Sequence, residues 1–211
     1  MADERLSLLL ALADDELVIG HRHSEWTGWA PHIEEDLAFS SIAQDEMAHA
    51  RLLYGLAGEL TGRSEDELAL GRPPEEYRNA VLCERPNGDW GYTLARQYLY
   101  DTADAVRLEA LADSSWKELV ERVGVIRLEE KYHLDHAGAW FDRLVAGPLE
   151  ARQRFAEGLS AALGEAVGLF EPLPGEEELV ADGVLPKTSE ELLGEWLGEL
   201  DRKSTRLNSS H

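Results

Sequence analysis

The chain is poor in residues that lock a fold covalently or interrupt it: one cysteine, two methionines and eight prolines in 211 residues. Cys83 has no partner for an intrachain disulfide and reads as a small buried hydrophobe, not a reactive thiol. Positive charge is scarce as well, with 20 Lys and Arg against 42 Asp and Glu and a formal net charge of -22. That surplus repels phosphate backbones and anionic lipid, and no local basic patch offsets it, so nucleic acid and membrane surfaces are not expected as partners. Long apolar runs are also missing. The best, Leu6 to Ala13, is too short to cross a bilayer and is bracketed by Asp3-Glu4 and Asp14-Asp15, where a secretory leader would carry basic residues. With no targeting segment in view, a cytoplasmic protein is expected.

What remains is one domain's worth of sequence, 44% hydrophobic. No run alternates apolar and polar residues long enough to make a strand, and sparse Gly and Pro separate long periodic stretches, so the fold class is all-α. The composition breaks at residues 201–211, where an acidic, leucine-rich chain turns basic and polar. These eleven residues resemble the conceptual translation of a widely used sequencing adaptor. The expectation is therefore a domain over 1–200 that continues beyond Leu200 in the native protein, with 201–211 not native.

The punctuation predicts helices over about 3–27, 31–60, 90–113, 116–146 and 149–170, and a last short one opened by Thr188 and Glu191. Ser64 and Glu67 suit a capping box on a short helix, Asp89 suits the cap of the helix at 90, and Ser114 or Ser115 that of the helix at 116. Residues 171–187 read as an acidic loop. Short links make two antiparallel hairpins, and the long polar stretch 61–88 crosses between them. Two hairpins with one long crossover is the connectivity of a ferritin-like four-helix bundle, here with additional C-terminal helices.

Such a bundle buries one seam per helix at alternating three- and four-residue steps. The seams read Leu9, Leu12, Glu16, Ile19; Phe39, Ile42, Glu46, His49, Leu53, Leu56; Leu94, Gln97, Asp101, Asp104, Leu108, Leu111; and Val123, Ile126, Glu130, His133, Ala137, Trp140, Leu144. Each is apolar at its ends and carries an acid in its middle. Two contain Glu-x-x-His. That tetrapeptide is weak alone, since about one is expected by chance at this composition. Its weight comes from the joint position of both copies in mid-seam, each preceded by another inward acid.

Ionised carboxylates crowded into a low-dielectric core repel one another and lose their water, so something must neutralise them. Two iron or manganese ions would do so: four acids offset four positive charges, and two imidazoles add neutral ligands. Residues three apart on a helix project to one side and can grip one metal. The candidate ligands are Glu16, Glu46, His49, Glu130 and His133, with Asp104 slightly preferred over Asp101 on the third long helix. The alternative is a hydrogen-bonded polar layer without metal. His21, His23 and His32 read as surface or packing groups, His136 as an outer or exposed group, and the runs Glu34-Glu35-Asp36 and Glu176-Glu177-Glu178 as solvated charge. Trp26, Trp29, Trp90 and Tyr98 to Tyr100 read as core packing before partner anchors.

At Leu-Ala-Asp-Asp-Glu-Leu-Val (12–18), Ser-Glu-Trp-Thr-Gly-Trp-Ala-Pro (24–31), Pro-Asn-Gly-Asp (86–89), Ala-Arg-Gln-Tyr (95–98) and Lys-Tyr-His-Leu (131–134), the chain resembles the C-subunit family of the phenylacetyl-CoA epoxidase, a bacterial multicomponent ring oxygenase. The resemblance covers about residues 5–200. It implies a ferritin-like fold and a role in aerobic phenylacetate catabolism, paired as scaffold with a related A subunit that carries the catalytic di-iron centre and binds the acyl-CoA. It also implies a B subunit and a flavin and iron-sulfur reductase as further partners. Well-known C subunits have lost most ligands at the positions of Glu16, Glu46, His49 and Glu130, and this chain keeps them. Three roles stay open: a subunit of that monooxygenase complex with two iron ions of its own, a metal-free scaffold subunit, or a stand-alone ferritin-like di-iron oxidase. Whether the chain has catalytic activity of its own is left open with them.

Overall fold

The computed structural model describes residues 2–209, with side chains from 3 to 203. All regular structure among them is helical: α1 (Ala2–Ser24), α2 (Ile33–Thr61), α3 (Glu65–Ala69), α4 (Val81–Glu84), α5 (Trp90–Leu111), α6 (Lys117–Val145), α7 (Leu149–Ala166), α8 (Glu176–Ala181) and α9 (Ser189–Ser209). The expected ferritin-like bundle is present as α1, α2, α5 and α6. Contacts run antiparallel within each hairpin: Asp14 meets Tyr54 and His23 meets Glu46 across α1 and α2, while Gln97 meets His136 and Glu109 meets Arg127 across α5 and α6. No helix among the described residues is long and apolar enough to cross a membrane. Of the adaptor-like segment, 201–209 continue α9, and 210 and 211 lie outside the described residues.

Local chemistry sets the element ends. Gly62 closes α2 at φ 72°, a left-handed conformation that glycine adopts without penalty, and its N–H donates to the Gly58 carbonyl. Ser64 and Glu67 form the expected capping box on α3. The Asp89 side chain accepts from Tyr92 N–H at the start of α5. Thr188 and Glu191 make the same reciprocal pair at the start of α9.

The structure corrects several boundaries. Helix α1 stops at Ser24, and the seventh helix gives way to a 3-10 turn at Val167–Phe170. The stretch 171–187 is not all loop: α8 forms within it after Gly175, which turns the chain at φ 77°. Its Glu176 is not solvated charge, because its carboxylate accepts from the Ser189 N–H (3.1 Å) and hydroxyl and so anchors α9. Ser114 and Ser115 do not cap α6 by side chain. Their hydroxyls donate to Val184 O (2.6 Å) and Asp182 O (2.8 Å), tying the α5–α6 turn to the loop after α8.

Helices α7 and α9 cover the outer side of α5. A Cβ on Gly158 would sit 2.9 Å from Tyr92 Cα, so a glycine is what lets α7 approach α5 this closely. Trp196 of α9 is fully buried, and its indole N–H donates to Thr102 (2.9 Å). The apolar core falls into two halves, one around Phe39, Leu94, Tyr98 and Ala137, the other around Leu9, Leu53, Leu108 and Ile126. A polar layer separates them.

Candidate metal centre

That layer is where the four seams lose their apolar character. Glu16 from α1, Glu46 and His49 from α2, Asp101 and Asp104 from α5, and Glu130 and His133 from α6 are each at most 3% exposed. The helix period delivers all seven because each lies in register with core residues one turn to either side. Glu16, His49 and Glu130 each offer a ligand atom within 4.8 Å of the others. His49 Nδ1 stands 3.3 Å from both Glu16 Oε2 and Glu130 Oε1. His133 Nδ1 is 2.9 Å from the same Glu130 oxygen, but off the N–H axis, so this is a charge contact that leaves both atoms without a hydrogen bond.

The remaining acids differ. Glu46 turns one oxygen to His23 Nδ1 (2.9 Å) and leaves Oε1 without a partner. Asp101 has no hydrogen bond on either oxygen. Asp104 is tied through Oδ1 to Arg107 (Nη2 at 2.8 Å), leaving only Oδ2 free. Several buried acceptor atoms therefore lack donors, an excess that native interiors avoid unless a cation or water completes them.

The electrostatics say the same. Burial pushes Glu46 and Asp101 well above the usual carboxylate range, and neighbouring acids push further: Glu16, Asp101 and Glu130 on Glu46, Glu130 foremost on Asp101. Burial raises Asp104 to about 8 despite Arg107. Burial also opposes charge on the imidazoles, but Glu130 and Glu16 overcome it and hold His49 at about 11, and Glu130 raises His133 to about 9. In return, against its own burial, Glu130 is lowered to about 2 by His133 and His49. Without metal, the cluster balances itself by holding protons.

Four groups escaped the sequence reading. His49 Nε2 meets Glu129 (2.8 Å) and His133 Nε2 meets Asp45 (3.4 Å). Each outer acid immediately precedes the Glu of the motif on the opposite helix, so the two motifs are cross-braced, leaving both Nδ1 atoms turned inward. A carboxylate on the far ring nitrogen is the usual support of a metal-binding histidine. The signal was available, since both motifs read acid-Glu-x-x-His. His23 is fully buried against Glu46 and is no surface group; it lies seven residues after Glu16, two turns along the same face. Tyr100 donates to Glu16 (3.0 Å). His136 is half-buried between Gln97 (3.2 Å) and Glu35 (2.9 Å), and Glu35 also accepts from Trp140 (2.8 Å), so it too is not solvated charge. Of the aromatics, Tyr98 and Tyr100 are buried and Trp26 packs edge-on against Trp90, whereas Trp29 is 81% exposed.

The family described as phenylacetic acid catabolic protein matches residues 2–210. The chain belongs to that family. A relative, the 1,2-phenylacetyl-CoA epoxidase C subunit of Escherichia coli (strain K12), is 33% identical over 163 residues, which is 77% of this chain and 66% of the relative. The chain thus spans just under two thirds of that relative's length.

Proposed function

We propose that the protein is a C-type subunit of a phenylacetyl-CoA epoxidase, acting in aerobic phenylacetate breakdown beside a catalytic A subunit, a B subunit and a reductase, and that it holds a pair of iron ions. The observation that carries the metal is the set of unpartnered buried oxygens on Glu46, Asp101, Asp104 and Glu130, beside two imidazoles braced from outside. Carboxylate and imidazole donors in this ratio suit iron or manganese. Glu16, Glu46, His49, Glu130 and His133 would hold the ions. Asp101 completes the set ahead of Asp104, because Arg107 already claims one Asp104 oxygen.

Bound iron would supply redox chemistry with dioxygen, the chemistry a ring oxygenase requires. The chain's own part is to orient and to exclude water. Asp45 and Glu129 fix the imidazole planes, His23 and Tyr100 fix the Glu46 and Glu16 carboxylates, and the two apolar halves of the core shield the layer. Binding requires Glu46 and Asp101 to give up protons and both histidines to become neutral, so affinity rises with pH.

Anaerobic reconstitution with ferrous iron, followed by elemental analysis, tests the reading: about two equivalents are expected, and less than about a tenth of one would leave a metal-free scaffold. Coexpression with an A subunit tests the assembly. A joint gel-filtration peak is expected, and separate elution would overturn the pairing.

A further inference from the structure

We propose that a second site, a cavity of about 590 Å³ between α1, α5, the crossover, the C-terminal end of α7 and the start of α9, binds a small apolar monocarboxylate whose anionic end pairs with Arg78. The volume lies within the range of about 300–1,000 Å³ typical of small-molecule sites. Leu8, Leu12, Leu111, Phe170, Leu185 and Leu192 supply apolar walls.

Most charged groups in the lining are already spent. Asp15 and Arg107 pair with each other (2.7 Å), Lys187 Nζ sits 2.7 Å from both oxygens of Glu195, and Glu165 pairs with Arg85. Glu171 and Arg78 are both exposed to solvent, and Arg78 is the one cation of the lining without a protein partner among the described residues. Its guanidinium makes no ion pair or hydrogen bond among the described residues, in a chain where acids outnumber bases 42 to 20. Its backbone is held firmly, because Arg78 N–H donates to Asp14 (2.7 Å) and Ala80 N–H to Asp15 (2.7 Å). An arginine with a fixed backbone and no protein partner, lining a cavity with apolar walls, offers a carboxylate a charge-assisted, bidentate partner. The acidic surplus narrows the ligand further: a polyanion would be repelled, whereas a single carboxylate on an apolar body gains from the walls what it loses to the field. The site does not depend on the metal reading, since Arg107 stands between the cavity and Asp104.

Calorimetric titration of the full chain with octanoate, phenylacetate, 1-octanol and octylamine tests this. One site is expected for octanoate or phenylacetate, the tighter of the two showing whether alkyl or aryl acids are preferred. Arg78→Gln should weaken that acid about tenfold or more and leave 1-octanol unchanged. Ala11→Phe, which fills the cavity, should abolish binding of both while the helical circular dichroism is retained; should that variant misfold, Arg78→Gln alone decides. Absence of binding by either acid, octylamine binding as tightly as the acids, or an Arg78→Gln variant with unchanged acid affinity would overturn the proposal.

Discussion

Asp14, Asp15 and Glu16 are consecutive, chemically alike and all buried, yet they enter two different kinds of environment. Asp14 accepts from Tyr54, from Arg72 twice and from the Arg78 backbone. Asp15 accepts from Ala80 N–H and Arg107. Both are neutralised by built-in arginines and clamp the crossover to α1. Burial still lifts Asp15 above its usual range, although Arg107, which also pairs with Asp104, and the Ala80 N–H pull it down. Glu16, one residue on, rotates into a layer of acids where the nearest positive groups are imidazoles. The contrast separates two uses of buried charge: a paired acid fixes a fold, whereas acids left in excess hold a place for a cation.

The comparison breaks most directly at Arg72. Arg72→Met leaves Asp14 buried without its cation and should cost about 3–5 kcal/mol in urea denaturation, whereas Asp101→Asn in metal-free protein should cost less than about 1 kcal/mol or stabilise. Equal losses would make Asp101 a structural acid. Glu129→Gln or Asp45→Asn should weaken metal affinity about 10–100-fold in competition with a chelator, leaving metal-free stability within about 1 kcal/mol.

The pH dependence of metal-free protein sharpens the same distinction. Asp104 keeps its proton up to about 8 in the folded state, and His49 and His133 keep theirs up to about 11 and 9, while the unfolded chain releases them at ordinary values. The native state therefore binds more protons from roughly pH 4 upward, so its stability falls as pH rises toward 9. Glu130, lowered to about 2, contributes the opposite slope, but only below roughly pH 4.5. Thermal melts from pH 5.5 to 9 should show a falling midpoint without metal, and loaded protein should lose that slope. A small, local effect lies on the crossover: Ser64→Ala removes the α3 capping box and should cost about 1 kcal/mol.

Much of this was legible in one dimension. The period of apolar residues predicted four long helices, their seams and the mid-seam acids, because a helix turns every residue through a fixed angle and side-chain chemistry must match the face it lands on. Ser64, Asp89 and Thr188 marked helix starts because capping is local. Helix α8 and the pairing of Glu35 and Glu176 were not legible, since an acidic run looks solvated until a partner distant in sequence is brought to it.

By itself the sequence determined the helical class, the hairpin order and the central seam of each bundle helix. Only the tertiary structure decided which acids are paired and which are left over. Arg72 comes to Asp14 from 58 residues away, Arg107 to Asp15 from 92, and Glu129 to His49 from 80. Helical phase is a property of near neighbours, whereas neutralising a buried charge depends on what the packed chain carries to within a few ångströms of it.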